Sequence, residues 1–229
     1  MQRHSPMAFL IPVLLFFQGV SIAWSSIPAR YDGFPYGENW GIADGIIVES
    51  FFDPLCPDSR DTWPPLKQVL LEYHPRISLL VHPFPLPYHD NSFVACRALH
   101  IANTLNVSAT YPLLELFFKY QEKYYNGPTK NLSREAIVDD ISRLGAEAVG
   151  SSLLPEFKNG FIDSHSDSAT RTSFKYGCTR GVFGTPFFFV NGFLLPNAGS
   201  AIDYETWKSV IERLVRNHEE EMGDAVSSI

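Results

Sequence analysis

Strand-like runs occur only toward the two ends of this sequence, and the long helical block between them is what most restricts how the chain can fold. "GIIVESFF" (45–52) and "RISLLVHPF" (76–84) are β-branched and aromatic runs of strand length. Pro83, Pro85 and Pro87 then forbid a helix directly after the second run. "PFFFVNGFLL" (186–195) sets two short apolar runs around Asn191-Gly192, a pair suited to the positive φ angles of a two-residue hairpin turn. Between Asn91 and Phe174 the apolar spacing changes to three and four residues, in "NSFVACRALHIANTL" and "TYPLLELFFKYQEKYY". "SREAIVDDISRLG" opens on a Ser N-cap and is predicted to stop at Gly145, and "SATRTSFKYG" closes the block. A helix is expected over 57–73, its first part broken by Pro64 and Pro65. A last helix is predicted from Asp203, as N-cap, to about Glu220, with "HEEEMGDAVSSI" as a frayed, solvated end.

This order predicts an α/β fold: a βαβ unit and a ββα unit forming one mixed sheet, with helices on both faces and a helical insertion between the units. The expected boundaries are a leader at 1–23, a first half at 24–92, the insertion at 93–173, a second half at 174–220 and a tail at 221–229.

The leader reading rests on "MQRHSPMAFLIPVLLFFQGVSIA". Arg3 and His4 form a polar start, the run from Met7 to Val20 is short for a membrane span and interrupted by proline, and Ser21-Ile22-Ala23 offers small residues for cleavage. The expected localisation is the secretory pathway, lumenal or extracellular, with no stable membrane span after cleavage. Asn106-Val107-Ser108 and Asn131-Leu132-Ser133 are sequons for such a compartment. A net charge of -7 and the lack of a Lys/Arg cluster exclude nucleic acid as the main partner.

Three cysteines, 56, 96 and 178, leave an odd thiol where the compartment is oxidising. Cys56 stands in "FFDPLCPDSR" at a strand-to-helix junction, with Pro57 suited to the first helical position. Unpaired N–H groups and the positive end of the helix dipole favour a thiolate there, while Asp53 and Asp58 oppose it. Ser59 falls one helical turn along, placed to donate a hydrogen bond to that thiolate. A hydroxyl cannot clear a mixed disulfide as a second thiol does.

These motifs resemble the thioredoxin superfamily and, within it, the DsbA-like thiol-disulfide oxidoreductases that carry a helical insertion. The resemblance rests on Cys56-Pro57-Asp58-Ser59 after the strand, Pro64 eight residues beyond the cysteine, "HPFPLPYHDNSF" (82–93) and "GVFGTPFFFVNG" (181–192), and it covers about residues 44–220. It implies a cis-proline at Thr185-Pro186 beside Cys56, so that Pro57, Thr185 and Pro186 would seat a cysteine-containing protein or peptide substrate. With Ser59 where the family's second cysteine stands, it implies single-cysteine exchange at Cys56, isomerase-like or retention-like. No cofactor is implied beyond glutathione as co-substrate. The second reading is a redox-inactive peptide-binding or folding-assistance module on the same fold. Serine in the motif is also similar to the kappa-class glutathione transferases, a reading that the leader and the retained Cys56 count against.

Cys96 and Cys178 are open to two readings, a disulfide bracing the insertion or two buried thiols, with a resolving role for Cys178 as a third. The histidines show no metal-site spacing, so no metal site is expected, and His82 reads as a structural hydrogen-bonder. No Gly-rich phosphate loop and no G-x-S-x-G elbow occurs.

Overall fold

The computed structural model describes residues 31–37, 45–196 and 199–227, and the expected leader lies outside them. The described fold belongs to the unit that begins at Asp32. Strands β1 (Phe34–Pro35), β2 (Ile46–Phe52), β3 (Ile77–Pro83), β4 (Phe187–Val190) and β5 (Phe193–Leu194) form one sheet in the order β1-β3-β2-β4-β5. β2 and β3 pair in parallel, and the other pairs are antiparallel. A parallel pair needs a crossover, which α1 (Pro57–Glu72) supplies. β4 and β5 close through Asn191 (φ 50) and Gly192 (φ 82), so the hairpin forms at the residues whose type foretold it.

The insertion is helical throughout: α2 (Ser92–Leu105), α3 (Thr110–Tyr120), α4 (Asn126–Thr129), α5 (Arg134–Val149), α6 (Leu154–Ile162) and α7 (Ser164–Thr179), with short 3-10 turns between. Its last helix runs past residue 173 to Thr179. α8 (Tyr204–Ser227) completes the chain. Asp203 caps α8 by accepting from the Thr206 N–H, and the helix continues through most of the stretch expected to be frayed.

Two expected breaks are absent. Pro64 and Pro65 sit inside a continuous α1, because Trp63, Leu66, Val69 and Leu70 bury against the sheet and the insertion and hold its course through the missing N–H groups. α5 does not stop at Gly145: a Cβ there would lie 2.0 Å from the Phe157 ring, so this glycine lets α6 approach. α5 ends instead at Gly150, whose φ of 118° other residues rarely adopt.

Alternate residues of β2 serve two cores. Val48 and Phe52 join Trp63 of α1, Trp207 of α8 and the insertion in the larger one. Phe51 faces the other way and packs with Phe84, Leu86, Val182, Phe187, Phe189 and Cys56, covered by Tyr176 of α7. The result is a thioredoxin-like α/β fold with a helical insertion, and it leaves Cys56 at the end of β2 where the second core meets the start of α1. Among the described residues no helix is long and apolar enough to cross a membrane.

Candidate active site

Cys56 is the N-cap residue of α1, with extended backbone (φ -85, ψ 125) and Pro57 at the first helical turn behind it. Its residue surface is 4% exposed. The Sγ–H donates to the Thr185 carbonyl across 3.3 Å, and the Thr185-Pro186 peptide is cis. A contact between positions 129 residues apart thus joins the two motifs.

The Asp53 carboxylate is turned inward. It is fully buried and accepts from the Leu55 N–H (2.8 Å), the Leu86 N–H (3.0 Å) and the Ser92 hydroxyl, and it pairs with His89 Nδ1 (2.8 Å). Its own carbonyl accepts from the Cys56 N–H. A buried charge with this many donors is satisfied, so Asp53 acts as the anchor of the cysteine loop. Buried Gln121 is a second anchor: its Nε2 donates to the carbonyls of Pro54 and Cys56, each at 3.3 Å, and its Oε1 accepts from the Tyr125 hydroxyl.

Ser59 is fully buried near Cys56 in sequence, and its Oγ has no hydrogen-bond partner among the described residues. The hydrogen bond expected between Ser59 and Cys56 is therefore not made; Cys56 uses the Thr185 carbonyl instead. The Thr185 Oγ1 is likewise buried without a partner. Pro186 is buried, and its carbonyl accepts from the Gly199 N–H.

Neither reading of the other two cysteines holds. Cys56, Cys96 and Cys178 are all free, Cys96 is buried and Cys178 is exposed on α7. Burial, with the charge of Asp53 behind it, pushes the Cys96 thiol well above its usual range, which makes it a poor nucleophile. Asn106 and Asn131 are both exposed, Asn106 with its Oδ1 accepting from the Ser108 N–H. Among the described residues no cluster of three or more His, Cys, Asp or Glu side chains has metal-site geometry.

His82 is fully buried between two carboxylates, with Nδ1 2.8 Å from Asp32 and Nε2 3.5 Å from Glu49. Burial works against the imidazolium, yet the bonds to Asp32 and Glu49 outweigh it and raise the histidine.

The contacts that tie Asp53 to Leu86 and His89, and Gln121 to Pro54, have no local signal, because the partners lie 33 to 67 residues apart. Cys56 and Pro57 were legible in one continuous stretch, and Thr185 through its likeness to a known loop.

Comparison with curated proteins returned no match. A candidate protein-disulfide isomerase from Pseudomonas syringae superposes with a TM-score of 0.65 at 21% identity, covering 79% of this chain and 98% of its own. The catalytic domain of Proteus mirabilis ScsC gives 0.56 at 17%, covering 79% and 88%. A thioredoxin-like oxidoreductase from Silicibacter pomeroyi gives 0.57 at 18%, covering 82% and 94%. At these identities the likeness is one of fold. The sequence profile described as Thioredoxin matches residues 43–213, which take in Cys56, the insertion and the Thr185-Pro186 loop, and the chain belongs to that family.

Proposed function

We propose that the protein exchanges thiols and disulfides through Cys56 alone. The observation that carries this reading is the meeting of Cys56 Sγ, at the start of α1, with the carbonyl of Thr185 in the cis-proline loop. The thiolate attacks one sulfur of a substrate disulfide, the substrate S–S bond breaks as the Cys56–substrate bond forms, and the departing thiolate takes a proton from water. No electrons are gained or lost overall. Release follows when a second substrate thiol, or glutathione, attacks the mixed disulfide. Ser59 takes no bond to sulfur; its buried hydroxyl, without a partner among the described residues, is assigned as donor to Cys56 once the thiol has given up its proton. Thr185 and Pro186, with Pro57, form the platform on which an extended cysteine-containing segment lies by strand addition. The names of two of the similar folds, a candidate isomerase and an oxidoreductase, agree with this class of chemistry.

Residence in the secretory pathway belongs to the same reading. It draws on the leader pattern at 1–23 and on the exposure of Asn106 and Asn131 for glycan.

The test is capture of a labelled disulfide peptide by the reduced protein, read as an added mass on the peptide containing Cys56. Cys56→Ala abolishes the adduct if the reading holds; undiminished capture by that variant overturns it. One observation favours a second reading, a peptide-binding module without turnover: Cys56 is 4% exposed. That reading expects Cys56→Ala to bind peptides as the parent does while the parent forms no adduct. Ser59→Cys adds a further measurement, since gain of dithiol oxidation would show that only the resolving step is missing.

A further inference from the structure

We propose that the pocket beside Cys56 receives a lysine or arginine side chain from the substrate residue next to the captured cysteine. This rests on the exchange reading only for the position of that cysteine.

An open pocket of about 320 Å³ is lined by Leu55 and Pro57, the two sequence neighbours of Cys56, and by Tyr88, Tyr124, Tyr125 and Asn126. A side chain one residue from a sulfur bonded to Cys56 therefore has this pocket within reach. The walls are fixed in advance. Asn126 Nδ2 donates to the Tyr88 carbonyl and its Oδ1 accepts from the Asp90 N–H, both at 3.0 Å. The Tyr125 hydroxyl is held by Gln121 at 2.7 Å, and Gln121 in turn holds the Cys56 carbonyl. Tyr88 stays 60% exposed, an aromatic surface left open beside the reactive residue.

The charge around these rings has one sign in excess. The Tyr88 hydroxyl feels Cys56, Asp53 and Asp58, and burial together with these charges raises it. The Tyr125 hydroxyl feels Arg60, Glu122, Cys56 and Asp61. Arg60 is the one guanidinium in that set, and it is already bound to Asp61 at 2.8 Å and Glu122 at 3.6 Å. His89, which also lines the pocket, pairs with Asp53. The charges acting on the two rings are thus those of Asp53, Asp58, Asp61 and Glu122 against the one cation Arg60, and the pocket's own lining holds no Lys or Arg. A leucine would fill the apolar part and leave the acidic field unused, and a glutamate would be repelled. Lysine and arginine satisfy both parts, with an alkyl stem along Leu55 and Pro57 and a cation over the phenol rings toward Asp58 and Glu122. The same field opposes anionic glutathione and so favours a peptide thiol as the releasing group.

The probes are five-residue peptides with Lys, Leu or Glu on both sides of a central residue. In one series that residue is cysteine activated as its 2-pyridyl disulfide; in the other it is serine, so that binding is read by calorimetry without chemistry. Each capture rate is divided by the same protein's rate with 2,2'-dipyridyl disulfide, which normalises for folding and for thiol reactivity. We expect the Lys peptides to exceed the Leu peptides by about threefold to tenfold in both series at low salt. The excess should fall at 0.5 M salt and disappear in Tyr88→Ala and in Asp58→Asn/Glu122→Gln. Equal values for Lys, Leu and Glu would overturn the proposal, as would a Leu preference, or a Lys preference that Tyr88→Ala leaves intact. Lys-selective binding without any capture would instead overturn the exchange reading and keep the pocket.

Discussion

Ser59 and the hydroxyl of Thr185 share an unusual condition at the cysteine site: both oxygens are sealed from solvent and neither has a hydrogen-bond partner among the described residues. A buried hydroxyl without a partner costs about 1–3 kcal/mol, so such a pair at one site is a reserve that function can draw on. While Cys56 is a thiol it donates to the Thr185 carbonyl and offers Ser59 little. Under the exchange reading the thiolate is an acceptor, and a Ser59 hydroxyl turned toward it would gain a partner as the nucleophile forms. Ser59→Ala should accordingly stabilise the resting protein by about 1 kcal/mol in urea unfolding while slowing disulfide capture. A variant that is less stable and captures at the parent rate would give Ser59 a packing role only. The motif around Cys56 showed where the serine would sit. It did not show that Cys56 would bond elsewhere, since the Thr185 carbonyl lies 129 residues away and a backbone acceptor leaves no mark in side-chain pattern.

At the scale of elements, the strands and most helices follow from local pattern, and the departures come from packing. β2 and β3 were legible because each is a run of apolar residues bounded by turn formers; β1, only two residues long, is too short to carry a period and exists through its pairing of Phe34 with Val81. Gly145 shows the limit most clearly. Glycine near the end of a helical pattern reads as a stop, yet here it is a mid-helix clearance for the Phe157 ring. Helix propensity alone would make Gly145→Ala stabilising by up to about 1 kcal/mol. With the new Cβ 2.0 Å from the ring and Phe157 fully buried, steric strain should win, and the substitution should destabilise by roughly 1–3 kcal/mol. Urea unfolding of the variant decides between them, and pairing Gly145→Ala with Phe157→Leu should recover part of the loss if that ring is the cause.

Across the whole molecule, one buried ionic network links the sheet to the insertion. His82 of β3 pairs with Asp32, ahead of β1, and with Glu49 of β2. Tyr176 donates to Glu49 from α7, Arg180 binds the other Glu49 oxygen from the residue after α7, and Ser173 donates to Asp32. The cysteine core rests on this layer, because Phe51 stacks on both His82 and Tyr176. The linkage has a definite sign. Although burial lowers it, His82 is raised overall by Asp32 and Glu49, so its contribution is present in full below the unfolded value of about 6.5 and is lost as pH climbs through the raised folded value. Buried His100 behaves in the opposite sense: burial lowers it to about 4, and it destabilises as pH falls from 6.5 toward that value. Measurements kept between pH 6.5 and 9 therefore isolate His82. His82→Gln should cost about 3 kcal/mol near pH 6.5, because Asp32 and Glu49 lose the charge between them. That difference from the parent should shrink steadily as pH rises. If urea unfolding gave a difference that grew with pH, the histidine would be neutral in the folded protein and the layer beneath Cys56 would be held by Arg180 and the hydroxyls alone.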